Sequence, residues 1–401
     1  MSAPRNGTSQ PAAPAARPFR GPSRVWHGDG AASRIGECTA DLGIVPGTAL
    51  VVTDPVVDRL GLASGVVEGL SAAGFGIERF GDIPGEPTTE VADAAAAAAR
   101  RVRPVLVCGV GGGSVMDVAK LAAALARNPG GVAEYIGAAG RRLSSPSLPL
   151  VLVPTTAGTG SEASQNAVVT HGGYKAFANN HPSLLAAGVV LDPRLTYSLP
   201  KTVTAHTGLD ALSHCVEGLL SSGATPITDI TATQGIALIC EALPRAYADG
   251  GDARARGQMT LGAYLGGLTL NAGMILGHSI AYTIANRLHV PHGFSCALAL
   301  PYAMAYNRDA AADRLRRIGD VAEAPAGPDG AVRRIQSLGL DVGMPEALRT
   351  LGIERGRLPE LVDECLSRYP RPNNPRPLDG EALRSLYTAM WEGRPAHAWH
   401  G

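Results

Sequence analysis

Short β-branched runs bounded by Gly and Pro mark the first half of the chain, at residues 49–53, 76–80, 105–109, 150–154 and 189–192. Between the first four lie segments with apolar residues three and four apart, at 64–73, 90–103 and 115–127, the spacing of a helix with one buried face. Strands alternating with helices of that length predict a parallel sheet with helices on both faces. One segment breaks the rhythm: NAVVT and YKAFA flank His171-Gly172-Gly173 within 165–178, as two strands flank a tight turn, and a β-hairpin is expected there.

Past Pro200 the strand signal nearly vanishes. Residues 203–307 form Ala- and Leu-rich stretches with apolar positions at helical spacing, and one or two further helices fit between 310 and 368. A Pro-rich connector, 369–378, precedes a last helix at 380–391. The pattern predicts an α/β domain over 21–199 and a helical domain over 200–401, with the boundary at Leu199-Pro200. Residues 1–20 are rich in Ala, Pro, Ser and Gly without the apolar centre of a secretory signal, and read as a disordered extension.

Composition narrows the classes of function. Four hundred and one residues suffice for two or three domains with proper cores. Lys+Arg and Asp+Glu both number 35, so no global field attracts nucleic acid or an anionic membrane. No apolar run approaches the roughly 18 residues of a membrane span. Aromatic residues are only 4%, which leaves the core to Ala, Val, Leu and Ile. The six cysteines are scattered without a C-x-x-C pair, as expected of reduced residues in a cytoplasmic protein.

Candidate chemistry gathers at three places. The run 105–109 feeds Val110-Gly111-Gly112-Gly113-Ser114 and then a helix, the context in which backbone N–H groups meet a phosphate; Ser114 is placed to cap that helix. A strict G-x-G-x-x-G is absent, and a merely tight strand-to-helix turn is the alternative. After 150–153, Pro154-Thr155-Thr156-Ala157-Gly158-Thr159-Gly160-Ser161-Glu162 gathers hydroxyls and bare backbone, suited to a pyrophosphate or an amide, or else to solvent. Asp210 and His214, at i and i+4, share one helix face, while His278 and His292 lie 14 residues apart, room for a helix and a turn to return the second ring to the first. Three imidazoles and a carboxylate suit Fe²⁺ or Zn²⁺.

Taken together, Gly111-Gly112-Gly113-Ser114-x-x-Asp117-x-x-Lys120, the 154–162 loop, Gly208-Leu209-Asp210-Ala211-Leu212-Ser213-His214, His278 and Pro291-His292-Gly293 occur in an order and spacing that resembles the iron-containing (group III) alcohol dehydrogenase family. The resemblance runs from about Val25 to Asn374-Pro375-Arg376. It implies a Rossmann-like N-terminal domain, an all-helical metal-binding C-terminal domain and a cleft between them for hydride transfer. By position it makes Asp210, His214, His278 and His292 the metal ligands and Gly111, Gly112, Gly113 and Ser114 the pyrophosphate loop, with Asp117 among the cofactor-binding residues. Thr155, Thr156 and Thr159 fall beside the nicotinamide, Lys175 near the cofactor phosphates, and Asn166 near the substrate end of the nicotinamide. Asp54 matches an acidic position that faces the adenosine ribose, which favours NAD(H) over NADP(H) because a carboxylate repels a 2′-phosphate; a helix or loop cap is the alternative.

Two positions depart from the pattern. Where many relatives carry a histidine four residues after the third ligand, this chain has Tyr282, whose reference pKa near 10 makes it a poorer proton exchanger than imidazole. Thr269 replaces a residue often larger in relatives, and with Arg287 it suggests a pocket for a polar or anionic substrate; a surface ion pair is the other reading of Arg287. The expectation is an NAD-dependent, metal-dependent dehydrogenase of a small alcohol or aldehyde, functioning as a homodimer or larger homo-oligomer and binding neither nucleic acid nor membrane. Rival readings are a maleylacetate reductase, disfavoured by the full ligand set, a dehydroquinate-synthase-like enzyme, whose motif differs from 154–162, and a metal-binding relative without catalysis.

Overall fold

A computed structural model describes residues 16–137, 139–178 and 181–395. Most of the expected extension, residues 1–15, lies outside them. Its end does not conform: the backbone of Arg20 is clasped by the Asn271 side chain, which accepts from its N–H (2.9 Å) and donates to its carbonyl (2.8 Å).

Among the described residues there are eight strands: β1 (Arg24–His27), β2 (Thr48–Val52), β3 (Gly76–Phe80), β4 (Leu106–Gly111), β5 (Leu150–Pro154), β6 (Ala167–His171), β7 (Tyr174–Ala178) and β8 (Gly188–Leu191). Six form a parallel sheet in the order β1-β8-β5-β4-β2-β3. The helices of this half are α1 (Ile35–Asp41), α2 (Pro55–Arg59), α3 (Ser64–Ala72), α4 (Thr89–Val102) and α5 (Gly113–Leu125). Alternation along the strands sends Leu50, Val52 and Val107 to one face, against Ala95, Val115 and Ala119, and Ala49, Val51 and Cys108 to the other, against Ile35, Cys38 and Val66. Burial on both faces is why these strands read as nearly continuous apolar runs. The hairpin pairs β6 with β7 antiparallel, and its turn places Gly172 at φ 57° and Gly173 at φ 83°, angles that glycine adopts freely.

The second half contains α6 (Lys201–Leu220), α7 (Pro226–Ala248), α8 (Ala253–Thr269), α9 (Leu276–Leu288), α10 (His292–Tyr306), α11 (Ala312–Val321), α12 (Pro328–Asp341), α13 (Leu358–Arg368) and α14 (Gly380–Glu392). They bury one large core around α6, with Leu212, Val216, Ile236, Leu243, Ile280 and Leu300 inside. The loop after β5 touches this core directly. Gly160, at φ 60°, lies so close to Gly267 on α8 that a Cβ there would stand 2.4 Å from the Gly267 Cα, so this seam requires glycine.

Candidate active site

Asp210 and His214 stand one turn apart on the buried face of α6, and His278 lies in the first turn of α9. Between α9 and α10, His289 takes a left-handed conformation (φ 51°) and Pro291 precedes the first residue of α10, His292. That reversal returns the fourth side chain to the third. Asp210 Oδ1 is 3.9 Å from His214 Nε2, 4.0 Å from His278 Nε2 and 3.9 Å from His292 Nε2, and the first two ring nitrogens are 3.1 Å apart. Donors held about 2.1 Å from one ion at tetrahedral angles are separated by about 3.4 Å, so the cluster fits one small divalent cation. Asp210 Oδ1 is buried and has no hydrogen-bond partner among the described residues. A cation among the three rings would satisfy that otherwise costly oxygen.

The chain prepares these donors electrostatically. Burial, reinforced by His214, holds His278 well below the usual imidazole range, and burial lowers His292 to about 4 despite Asp210. Both rings are therefore neutral near pH 7, the form that ligates metal. Burial pushes the Asp210 carboxyl up, but the three imidazoles outweigh it and keep it low. Glu217, a turn beyond His214, puts Oε1 2.6 Å from His278 Nδ1. Holding that proton leaves the Nε2 lone pair facing the cluster.

In the first half, β4 delivers Gly111 to its C-terminal end and α5 starts at Gly113, with Gly112 as the preceding cap residue. The cap expected of Ser114 is not made: the helix begins before it, so Ser114 lies in the first turn, where N–H groups lack intrahelical partners. A Cβ on Gly113 would stand 2.6 Å from Thr159, and Thr156 borders Gly112, while Thr155 N–H donates to the Gly111 carbonyl (3.0 Å). The glycine turn and the threonine loop thus form one wall of bare backbone and hydroxyls at adjacent strand ends, which fits a pyrophosphate. Asp54 follows the end of β2 by two residues and caps α2 through Oδ1, which accepts from Val56 N–H (2.7 Å) and Val57 N–H (2.8 Å). Lys175 on β7 forms an ion pair with Glu86.

Asp117 is a correction. Its carboxylate accepts from Ser161 Oγ (2.5 Å) and Val168 N–H (3.0 Å) and lies 3.6 Å from Lys120 Nζ, so it faces protein rather than cofactor. Lys120, fully buried, also donates to Ser164 Oγ (3.2 Å) and to the backbone carbonyl of Asn166 (2.6 Å). The i, i+3 pair on α5 anchors the threonine loop and the hairpin, and Asn166 is held there through its main chain.

The open side of the cluster is at His292, whose side chain is 23% exposed against 2% for Asp210. The Tyr282 ring stacks on it, with centroids 5.1 Å apart and planes 10° apart, and meets Phe177 of β7 edge-on at 5.8 Å, so the hairpin of the first half contacts the site wall of the second. The pocket expected at Thr269 and Arg287 is not upheld, while the ion-pair reading of Arg287 is. Thr269 is fully buried and donates its hydroxyl to the carbonyls of His214 (2.8 Å) and Gly266 (2.6 Å), tying α8 to α6. Arg287, nine residues after His278, projects from the opposite face of α9 and pairs with Glu364 (3.1 Å) and Glu360 (3.4 Å).

Three neighbours escaped the sequence reading. Glu217 falls seven residues after Asp210 and three after His214, on their helix face, a spacing that could have marked it. Cys296 falls one turn after His292; burial, with Asp210 adding, holds its thiol well above the usual range. Arg371, in the connector after α13, donates to Ser279 Oγ (3.0 Å) and sets its guanidinium carbon 5.9 Å from the Tyr282 ring centre, a placement no local pattern announces.

A glycine-turn wall at the end of a parallel sheet and a carboxylate and imidazole cluster in a helical half, in halves that meet at Phe177 and Tyr282, together define a dinucleotide- and metal-dependent oxidoreductase. Residues 22–193 match the family of iron-containing alcohol dehydrogenases and residues 204–391 the C-terminal part of that family. The chain belongs to the iron-containing alcohol dehydrogenase family, a family of NAD-dependent alcohol dehydrogenases. It is 38% identical over 357 residues to long-chain-alcohol dehydrogenase 1 of Geobacillus thermodenitrificans, covering 86% of this chain and 89% of that protein. The crystal structure of a 1,3-propanediol oxidoreductase superposes with a TM-score of 0.88 at 29% identity, covering 94% of this chain and all of the other. That of sulfoacetaldehyde reductase from Bifidobacterium kashiwanohense in complex with NAD⁺ gives 0.85 at 29% identity, over 94% of this chain and 98% of that one.

Proposed function

We propose that this chain interconverts a short, anionic aldehyde and its alcohol, with NAD(H) and one Fe²⁺ or Zn²⁺ held by Asp210, His214, His278 and His292. The observation that carries the chemistry is the unpartnered Asp210 oxygen among the rings of His214, His278 and His292, opening beside His292. When bound, the ion supplies Lewis-acid polarisation of the substrate oxygen, and the nicotinamide supplies the hydride site. The rest is done by the chain. Glu217 fixes the ring of His278. N–H groups at Gly113 and Ser114 would receive the pyrophosphate, and Asp54, whose cap bonds both fall on Oδ1, would keep Oδ2 for the ribose hydroxyls. Tyr282 walls the site through its ring, and burial drives its phenol far above neutral pH, so it retains its proton and its hydroxyl would serve a bound substrate as a hydrogen-bond donor.

The anionic preference no longer rests on Thr269 or Arg287. Arg371 beside the Tyr282 ring supplies a cation at the site wall, and the likeness to a sulfoacetaldehyde reductase supports the same reading. The likeness to a long-chain-alcohol dehydrogenase supports a second one, an extended apolar substrate. Steady-state reduction of sulfoacetaldehyde, succinic semialdehyde, phosphonoacetaldehyde, propanal and decanal with NADH decides between them. A short anionic aldehyde should lead in kcat/KM, and Arg371→Met should raise its KM at least tenfold; a clear preference for decanal overturns the anionic reading. Six free, buried cysteines support a reducing, cytoplasmic setting, and a homodimer is the expected assembly.

A further inference from the structure

Cys296 stands one turn after His292 on α10, so the two side chains project into the same space. Its Sγ lies 3.4 Å from His292 Nε2 and 3.8 Å from His278 Nε2, and the residue is 2% exposed. Asp210, His278, His292 and Cys296 each offer a donor atom within 4.8 Å of the others. A thiolate at about 2.3 Å and an imidazole nitrogen at about 2.05 Å from one ion are about 3.1–3.8 Å apart at the roughly 90–120° angles of a five-coordinate site, a range that holds both observed separations. The unpartnered Asp210 oxygen, buried and aimed into the same space, independently marks that space as a cation site.

We propose that Cys296 is itself a ligand of the resting metal site, which then carries a carboxylate, three imidazoles and one thiolate sulfur. The proposal rests on the metal-dependent reading above and adds a soft donor to an otherwise nitrogen and oxygen set. On binding, the sulfur–hydrogen bond breaks, a metal–sulfur bond forms, and one proton leaves to solvent past the exposed edge of His292. Thiolate donors select zinc over harder ions, so this site retains Zn²⁺ against Fe²⁺ more firmly than its four-ligand relatives would.

The test uses the full chain, stripped with a chelator and loaded anaerobically with Co²⁺. The wild type should show a near-ultraviolet thiolate-to-cobalt charge-transfer band. Cys296→Ser and Cys296→Ala should lose that band while still binding cobalt, and Cys365→Ala, buried in another part of the helical half, should keep it. In Zn²⁺/Fe²⁺ competition the zinc preference of Cys296→Ser should fall at least tenfold. If neither variant folds, X-ray absorption of the zinc-loaded wild type should show one sulfur neighbour at about 2.3 Å. A cobalt protein without the band, the same band in Cys296→Ser, or a zinc shell without sulfur overturns the assignment and leaves the metal-dependent reading standing. A wild type that binds no cobalt or zinc overturns both.

Discussion

Glu217 and His278 are joined at both ends of the imidazole's residue: Glu217 Oε1 lies 2.6 Å from the ring Nδ1, and Oε2 accepts the backbone N–H groups of Ile275 (2.9 Å) and His278 (3.3 Å). One carboxylate thus fixes the ligand ring and the start of α9 together. Glu217→Gln keeps the shape but loses the charge, and should weaken metal binding by about 10- to 100-fold with little change in NADH affinity. Chelator competition measures this. Unchanged metal affinity would reduce Glu217 to a helix anchor.

Asp54 has two duties, and Asn separates them. Asparagine still caps α2 toward Val56 and Val57 but carries no charge to repel a 2′-phosphate. Asp54→Asn should raise the ratio of kcat/KM for NADPH over NADH by about 10- to 100-fold, or about 1.4–2.7 kcal/mol, with thermal stability nearly unchanged. A wild type that already prefers NADPH contradicts the ribose assignment.

Tyr282→Phe preserves the ring stacked on His292 and removes only the hydroxyl. Metal content should hold, and kcat/KM should fall by no more than about 10- to 100-fold, the range of one hydrogen bond to a polar substrate. Because burial moves the phenol upward, the wild-type kcat profile should show no limb from it below about pH 10. A loss as complete as that of His278→Ala, with metal still bound, would make Tyr282 an essential acid or base.

Asp117, Lys120 and Glu162 form a buried group with two carboxyls and one ammonium. Asp117 takes the hydroxyl, the N–H and the nearby ammonium; Glu162 is left holding a proton, pushed up by burial to about 7 from 4.5. Between those values the unfolded chain releases a proton that the fold retains, so stability falls as pH rises through the window and the full cost is present above it. Glu162→Gln should therefore stabilise the protein by about 1–3 kcal/mol near pH 8 and hardly at all near pH 4, as read from urea midpoints. Equal effects at both would show that Glu162 ionises freely in the fold.

Periodicity made the parallel sheet, the hairpin and the helical half legible, because strands buried on both faces and helices around one core repeat their apolar residues at fixed intervals. β1, four residues of mixed polarity on the sheet edge, left no such trace. Asp210 and His214 share a helix turn and could be paired by spacing. His278 and His292 could be paired with each other by their 14-residue spacing, but only the resemblance fixed them to Asp210 and His214, since that depends on how α9 and α10 pack against α6. Asp117 was misread because its motif lies beside the glycine turn, whereas its rotation on α5 turns it toward Ser161 and Val168. For Arg287 the sequence left a pocket and a surface ion pair open, and the helix face it occupies on α9 decides for the ion pair.

Activity restored by metal addition tests the central claim most directly. Chelator-stripped protein, titrated anaerobically with Fe²⁺ or Zn²⁺ while NADH oxidation by a short aldehyde is followed, should regain turnover in proportion to added metal and saturate at one ion per chain. His292→Ala, treated alike, should stay inactive. Full turnover in the stripped protein, or restoration in His292→Ala equal to wild type, would contradict the assignment of Asp210, His214, His278 and His292 as the site that holds a catalytic metal.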